Sequence, residues 1–539
     1  MEKWKKVVAV ILMLALCAAM TACGQSGGEG GNSASQPESG TVSEESASEE
    51  QENGETTASA DADNPWAGLV DTSREETMVM YVLGDKPNDY DRVMEEANKR
   101  LMELINTRLE VNFIPLSDYP TKYPLILTGG DDVDLVYASA WCFLSEQAKK
   151  GAYLDLDDEF LNKYMPLTMK NTSEAAWKQA KLEGKIYQIP RNQSDNQSYG
   201  GFLVRKDIMD KYGIEEINTF DEYEQYLFTV AENETGAYAM YAFPSLCGGM
   251  EKSFMMPFEH MWLIDSNLIW DSDNGTAKVE DVEYLFTTEE YKNYVLRMAE
   301  WAKRGVWPSN AINETVHSND RFMEGMSLSL PCRVPEADNL IKQTEAKGYE
   351  VEYITCLDEN GYTRKSAYNG DGVAIAAFSK NPERAAVTLD IMKNDEQLNL
   401  LLVGGIEGVH YIINEDGTRS TGPESDNYVW DGWTWGIRND WNPPLKYDDR
   451  VQKINDIYTE KLMPDDMWIF DGFIADNTLY SAEIAVINSL VTEYQFSFDL
   501  GVFGDETEAK YEEFVQKLND AGLEKVLEEW KRQMTEYVG

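Results

Sequence analysis

The amino-acid sequence predicts an α/β protein whose body is divided into two lobes. Two observations carry this reading. Residues 77–139 alternate short apolar runs with amphipathic ones, the order of a largely parallel sheet with helices packed on it. The body from Arg74 onward is roughly 465 residues long, beyond the ~250–300 at which a single hydrophobic core stops growing. The chain is 42% hydrophobic and 27% charged, a globular composition.

The N-terminus reads "MEKWKKVVAVILMLALCAAMTACGQS". Lys3, Lys5 and Lys6 precede an apolar run from Val7 to Met20, which at fourteen residues is too short to span a bilayer as a permanent helix. Residues 1–22 therefore read as a secretory signal peptide. The end of this segment, Met20-Thr21-Ala22-Cys23, resembles a bacterial lipobox. That resemblance implies cleavage before Cys23 and a lipid on that cysteine; an ordinary signal peptide cut nearby is the alternative. Residues 24–63 are dominated by Gly, Ser, Thr, Ala and Glu and hold no Lys, Arg or aromatic residue. Such a stretch cannot bury enough apolar surface to offset the cost of ordering its backbone, so residues 23–73 are expected to form a flexible acidic tether.

The body is read element by element. Thr77–Asp85, "TMVMYVLGD", predicts a first central strand. Val93, Ala97, Leu101, Ile105 and Leu109 then recur every four residues, a helix with one buried stripe. "EVNFIPL" is strand-like, "YPTKYPLILTGG" helix-like with a glycine stop, and "DVDLVYAS" a strand again. "GGFLVRKDIMDKYGI" runs from strand into helix, and Thr219 caps the helix of "TFDEYEQYLFTVAEN". "EYKNYVLRMAEWAKRGVW" is an amphipathic helix, Gly372–Ser379 a buried strand, and "NPERAAVTLDIMKNDEQLNLLLVGG" one long helix or two. Near the C-terminus Asp505 and Glu508 fit a capping box, and Leu523, Val526, Leu527, Trp530 and Met534 form one apolar face.

Charge and motifs exclude several function classes. The formal net charge is −49, of which only about ten units lie in the tether, so the body repels phosphate backbones and nucleic acid is a poor partner. Cys142, Cys247, Cys332 and Cys356 are scattered without a Cys-x-x-Cys pair, which fits buried thiols, with disulfides as the alternative, and no zinc site. His260, His317 and His410 are well separated, and neither a phosphate-binding loop nor a nucleophile elbow is present. Acidic pairs such as Asp131-Asp132 are so common here that a glycosidase carboxylate pair stays open on counting alone. "DSDNGTAKVED" has its glycine at the fifth place from Asp271, where a calcium loop needs the sixth. It reads better as a hairpin turn at Asp273-Asn274-Gly275.

Several segments together resemble the bacterial extracellular solute-binding proteins of family 1, the sugar-type receptors of ABC importers. They are "SDYPTKYPLILTGGDDVDLVYAS", "GAYLDLDDEF", "LEGKIYQIP", "LVRKDIMDKYGI" and "GVAIAAFSKNPERAAVTLDIMKNDEQLNLLLVGGIEGVHYIIN". The tail "FDGFIADNTLYSAEIAVINSLVTEYQFSFDLGVFG" is similar to that of a lipoprotein branch with a distinctive C-terminal domain, although "FDGFIADN" departs from the Gly-Phe-x-Phe-Asp signature of that branch. The resemblance implies an α/β, two-lobed, periplasmic-binding-protein-like (type II) clamshell with an interlobe hinge and a helical C-terminal extension. Lobe 1 would hold residues 74–195 and 350–405, and lobe 2 residues 196–349 and 406–539, including the C-terminal domain. It implies a lipid-anchored monomer on the extracellular face of the membrane. Such a receptor closes on a small-molecule solute, an oligosaccharide, and delivers it to the permease of an ABC importer without catalysis, cofactor or metal. A surface lipoprotein polysaccharide hydrolase or lyase, and a peptide-binding receptor, are the alternatives.

Sugars present hydroxyls in the ring plane and C–H groups on the faces, so a binding site needs planar polar side chains and aromatic platforms. The chain has 14 Trp and 29 Tyr. Ligands of open α/β sheets bind beyond the carboxyl ends of strands, which selects Asp85, Ser139 and Trp141. Trp433 and Trp435 alternate around Thr434 in "WDGWTWGIRNDW", as on an extended loop, and are expected to face one side, with core packing as the alternative. Arg191 and Asn192 follow the proline before the crossover, either as contacts or as plain hinge loop. Asn369 and Asp371 in "YNGDG" are contacts or parts of a tight turn. Arg333 in "LPCRVP" is a partner for a ligand carboxylate or a surface or lobe-bridging Arg, and Glu407 in "GIEGVHY" a contact or a hinge residue.

Overall fold

The computed structural model describes residues 64–539 except 117, 129–131, 194–195, 198–199, 242–249 and 465. The signal segment, Cys23, most of the tether and Cys247 lie outside the described residues.

Lobe 1 is built on a sheet of five strands in the order Thr107–Ile114, Glu76–Leu83, Leu135–Ala138, Gly372–Ile375, Ile189–Pro190. The first three are parallel, as the strand–helix alternation predicts. Only Gly372–Ile375 departs, running antiparallel to both its neighbours, so Ile189–Pro190 has the same direction as the first three. Gly372–Ile375 re-enters from the other lobe and needs no crossover helix to reach its place, so nothing imposes the parallel sense. Side chains alternate between the two faces. Met78, Met80, Val82, Leu135, Val373 and Ile375 enter one core, and Val136, Ala138, Ala374 and Ala376 the other.

The helix Tyr90–Ile105 buries Val93 and packs Ala97, Leu101 and Ile105 into the first of these cores, while Leu109 already belongs to the next strand. The run after Pro382 is two helices, Pro382–Asn394 and Glu396–Gly404. Asp395 breaks them: it leaves the helical conformation, accepts the Leu398 N–H (2.9 Å) and takes the Arg100 guanidinium (2.7 Å). The described chain begins by inserting Trp66 into lobe 1, where its Nε1 donates to Asp390 (2.8 Å).

Lobe 2 carries an antiparallel sheet in the order Ser329–Pro331, Gly201–Arg205, Val351–Thr355. One face, with Leu203, Leu330 and Tyr353, packs on the helices Val334–Glu345 and Asp449–Glu460. The other, with Phe202, Val204 and Ile354, packs into a larger core that includes the helices Phe220–Asn233 and Glu289–Lys303. The C-terminal helices Ser481–Asp499, Thr507–Asp520 and Leu523–Val538 bury Ile487, Phe498, Phe514, Val526, Trp530 and Met534 in that same core. The capping box of Thr219 and Glu222 is formed. The one expected at Asp505 is not, because Asp505 sits in a short 3-10 turn and the helix starts at Thr507 without a side-chain cap.

The lobe boundaries differ from those implied by the resemblance. Val351–Thr355 pairs with Gly201–Arg205, so it belongs to lobe 2 and the chain returns to lobe 1 only at Gly372. Residues 406–442 pack on lobe 1: His410 bonds Asp89 (3.0 Å), Tyr428 donates to the Leu402 carbonyl (2.7 Å), and Trp435 and Ile437 enter the lobe 1 core. A third crossing follows, because the backbone of Asp448 bonds Asp338 of lobe 2 (2.7 Å). The first two crossings pair with each other through Asn196–Gln197 and Arg364–Lys365, and the first touches the third through Asn192 and Asn439.

Trp435 and Trp433 do not share a side. Gly432–Trp435 is one helical turn, capped by Asp431, and it sends Trp435 into the core, 3% exposed. Trp435→Ala is expected to cost about 3–5 kcal/mol of stability, and Trp141→Ala, at a ring 47% exposed, much less. Denaturant unfolding of both variants checks this; equal midpoints would contradict it.

Candidate functional site

The carboxyl ends of Glu76–Leu83 and Leu135–Ala138 open on one edge of the lobe 1 sheet, and the residues just beyond them are Gly84-Asp85 and Ser139-Ala140-Trp141. The turn Gly432–Trp435 covers this edge. A Cβ on Gly84 would stand 3.5 Å from Thr434 Oγ1. Gly436, at φ +66°, approaches Gly372 so closely that a side chain would collide with its carbonyl. This approach brings Trp433 edge-on to Tyr137 (ring centroids 5.9 Å) and beside Trp141 (6.3 Å). Tyr119 meets Trp141 edge-on at 5.5 Å. Trp141 and Trp433, distant in sequence, thus belong to one aromatic cluster.

Trp141 is held by the turn 367–371. Its Nε1 donates to the Gly370 carbonyl (2.9 Å), which also accepts from Ser139 Oγ (2.7 Å). The Asn369 carbonyl accepts the Ala140 N–H (3.0 Å), and the Asn369 side-chain amide donates to the carbonyls of Gln179 and Gly472 (both 3.1 Å). Asp371 is buried and shared by two guanidiniums: Arg191 at 3.0 Å, and Arg438 at 2.8 and 3.1 Å. Arg191 also donates to the Ala367 carbonyl (2.8 Å). Ser139, Arg191, Asn369 and Asp371 are therefore buried groups bonded to one another or to nearby backbone, the tight-turn reading of "YNGDG". Asn192 is likewise engaged, accepting the Ser173 N–H (3.1 Å) and donating to the Asn171 carbonyl (2.9 Å). Asp85 is exposed at the strand end.

A cavity of about 380 Å³ opens between the lobes, lined from lobe 1 by Trp430, Trp433 and Arg438 and from lobe 2 by Val334, Pro335 and Asn455. Arg333 begins the helix that supplies Val334 and Pro335, and bonds Glu336 on it (2.8 Å). Arg419 lies 4.1 Å above the Trp430 ring on the same wall. Glu407 lies apart, exposed in the turn that leads to His410 on lobe 1. Trp441 is 41% exposed beside Asn442, which also lines the cavity.

Arg438, Tyr119 and Tyr137 were not singled out by sequence. Tyr137 lies on the same predicted strand as Ser139, so period-two alternation was a usable signal. Arg438 gives none, because its carboxylate partner is 67 positions away. Among the described residues no group of three His, Cys, Asp or Glu side chains is disposed to hold a metal. Cys142, Cys332 and Cys356 are buried thiols outside any disulfide, and burial pushes the Cys142 thiol up to about 12.

Lys393 is buried behind the site and donates to the Pro190 carbonyl (2.8 Å). Burial pushes its pKa down to about 8, with Asp371 and then Asp390 acting against that shift. The unfolded value is near ~10.4, so between the two the unfolded chain binds more protons and stability rises with pH. From pH 7 to pH 10 the wild type is expected to gain stability relative to Lys393→Met, by up to about 3 kcal/mol. Urea unfolding of both proteins at the two pH values measures this; a difference independent of pH would contradict it.

Two family models match the chain: bacterial extracellular solute-binding protein over residues 85–315, and a domain of unknown function, DUF3502, over residues 469–539. A carbohydrate ABC transporter substrate-binding protein of Streptococcus pneumoniae serotype 4 is 23% identical over 484 residues, spanning 87% of this chain and 92% of the relative. The polygalacturonan/rhamnogalacturonan-binding protein YtcQ of Bacillus subtilis is 19% identical, spanning 81% of this chain and 87% of the relative. Among solved structures, the N-glycan transport solute-binding protein NgtS of Streptococcus pneumoniae superposes with a TM-score of 0.67 at 19% identity, over 86% of this chain and 99% of that one. The sheets, the crossings and these likenesses agree on a type II periplasmic-binding fold with a helical C-terminal part, and over residues 85–315 the chain is similar to the bacterial extracellular solute-binding proteins.

Proposed function

We propose that this protein is a lipid-anchored receptor that captures an oligosaccharide between its lobes by hinge closure and passes it to the membrane permease of an ABC importer. The observation that carries this reading is the cluster of Trp141 and Trp433 at the strand ends, beside a cavity that both lobes line. Exposed aromatic faces match the C–H faces of sugar rings, and clefts between domains are the usual place for a small-molecule site. The relatives support the solute class: one is a carbohydrate transporter's binding protein, one is named for polygalacturonan and rhamnogalacturonan, and NgtS has been solved with Man1GlcNAc and with Man5GlcNAc. Binding without turnover is supported by the relatives, which are named as binding proteins. The lipobox at Cys23 supports the anchor, and the receptor acts as a monomer.

Titration with pectic and N-glycan oligosaccharides tests the solute class, read by thermal shift and by product analysis. Stabilisation without new products is expected. Turnover would make the protein a hydrolase or lyase, and stabilisation by peptides alone would make it a peptide receptor. Trp141→Ala and Trp433→Ala should each weaken binding by about 1–3 kcal/mol, roughly five- to a hundred-fold in Kd, by analogy with base stacking on aromatic side chains; unchanged affinity in both would remove the platform. Cys23→Ala should release the processed protein from the membrane fraction, and full retention would remove the lipid anchor.

A further inference from the structure

The segment 468–477, "WIFDGFIADN", opens the C-terminal domain and is the stretch whose signature departs from its branch. It makes no helix or strand. On one side it is rooted in lobe 2 and the C-terminal helices. Trp468, Phe470, Phe473 and Ala475 are buried in the lobe 2 core. The Ala475 N–H donates to Asp265 (2.9 Å), and Trp530 Nε1 donates to Asn477 (2.9 Å). Gln533 bonds both backbone groups of Asp476, at 2.7 and 3.0 Å.

On its other side the same segment grips lobe 1 on both flanks of Trp141. Before the second flank, the Gly472 carbonyl accepts from Asn369, in the turn whose Gly370 carbonyl receives the Trp141 indole. Gly472, at φ +79°, lies so close to Gln179 that a Cβ would come within 2.7 Å of its Cγ. Gln179 in turn binds the same turn, through the Tyr368 N–H (2.6 Å) and the Asn369 amide. Past Trp141, the helix Leu144–Lys149 ends on Lys149, which forms an ion pair with Asp476. Ile474, between these two anchor points, packs against the lobe 1 core that Trp433 also covers.

We propose that the C-terminal domain is a positioning element for the solute platform: the strap 468–477 carries its rigidity to both ends of the Trp141 loop, and Gly472 and Asp476 are the residues that deliver it. The inference rests on the reading of Trp141 as a platform, but its test uses no solute, so it can fail or stand independently of the solute class.

The test is ¹⁹F NMR of the whole chain labelled with 5-fluorotryptophan, with Trp141, Trp270 and Trp435 assigned by Phe substitutions. Gly472→Ala adds a methyl where there is no room and strains the backbone; Lys149→Met removes the ion pair to Asp476, with the longer one to Glu183 (3.6 Å), and leaves the lobe 2 core untouched, and Glu183→Gln, which removes only the latter, is the control. Gly472→Ala and Lys149→Met, but not the control, are each expected to displace or broaden the Trp141 resonance while Trp270 in lobe 2 and Trp435 in the lobe 1 core stay in place. An unmoved Trp141 signal in both variants overturns the proposal, as does a shift of all three signals together, which would mean general loosening. If Gly472→Ala does not fold, Lys149→Met decides alone by the same criterion.

Discussion

The architecture of the site depends on one buried interaction, the carboxylate of Asp371 shared between Arg191 and Arg438. A buried charge is tolerated only when it is paired and hydrogen-bonded, and removing one partner is far more costly than never having had the pair. Here the three groups come from three different passes of the chain: Arg191 where it leaves lobe 1, Asp371 where it returns, and Arg438 before it leaves again. The ion pairs therefore fix all three passes at one point. They also fix the turn 367–371, and that turn holds the Trp141 indole. The Trp141 ring and the three crossings therefore share one foundation.

The C-terminal helices have no apolar core of their own. They bury Phe498, Phe514, Val526 and Trp530 together with Phe202, Trp270 and Trp301 of lobe 2. A domain boundary drawn at residue 469 by sequence family cuts through that core. Physically, lobe 2 and the C-terminal helices are one body, and the strap 468–477 is the part of it that reaches lobe 1.

The sequence made the elements legible wherever local chemistry decides them. The four-residue stripe from Val93 to Ile105 is a helix because one face must be buried, and Thr219 caps because Glu222 stands three residues on. The place of Trp141 just beyond a strand end was readable from the strand alone. What stayed hidden depends on distant partners. Val351–Thr355, placed in lobe 1 by the resemblance, belongs to lobe 2 because it pairs with the distant Gly201–Arg205. Trp433 and Trp435 look extended by alternation, but Asp431 captures the Thr434 N–H (3.2 Å) and hydroxyl (2.8 Å) and winds them into a turn, which separates the rings. Asn369 and Asp371 were visible as special, but whether a polar group faces a ligand or its own fold is decided by neighbours such as Gln179 and Arg438 that no spacing reveals.

The most direct measurement is a crystal structure of the chain with whichever pectic or N-glycan oligosaccharide most raises its melting temperature. A sugar ring should lie in van der Waals contact with Trp141 or Trp433, with Val334 and Pro335 of lobe 2 closing over it and the bonds from Gly370 to Trp141 and from Asp371 to its two arginines intact. A sugar bound elsewhere, for instance in the surface groove between the end of Glu289–Lys303 and residues 500–508, with both rings untouched, would contradict the assignment of the site.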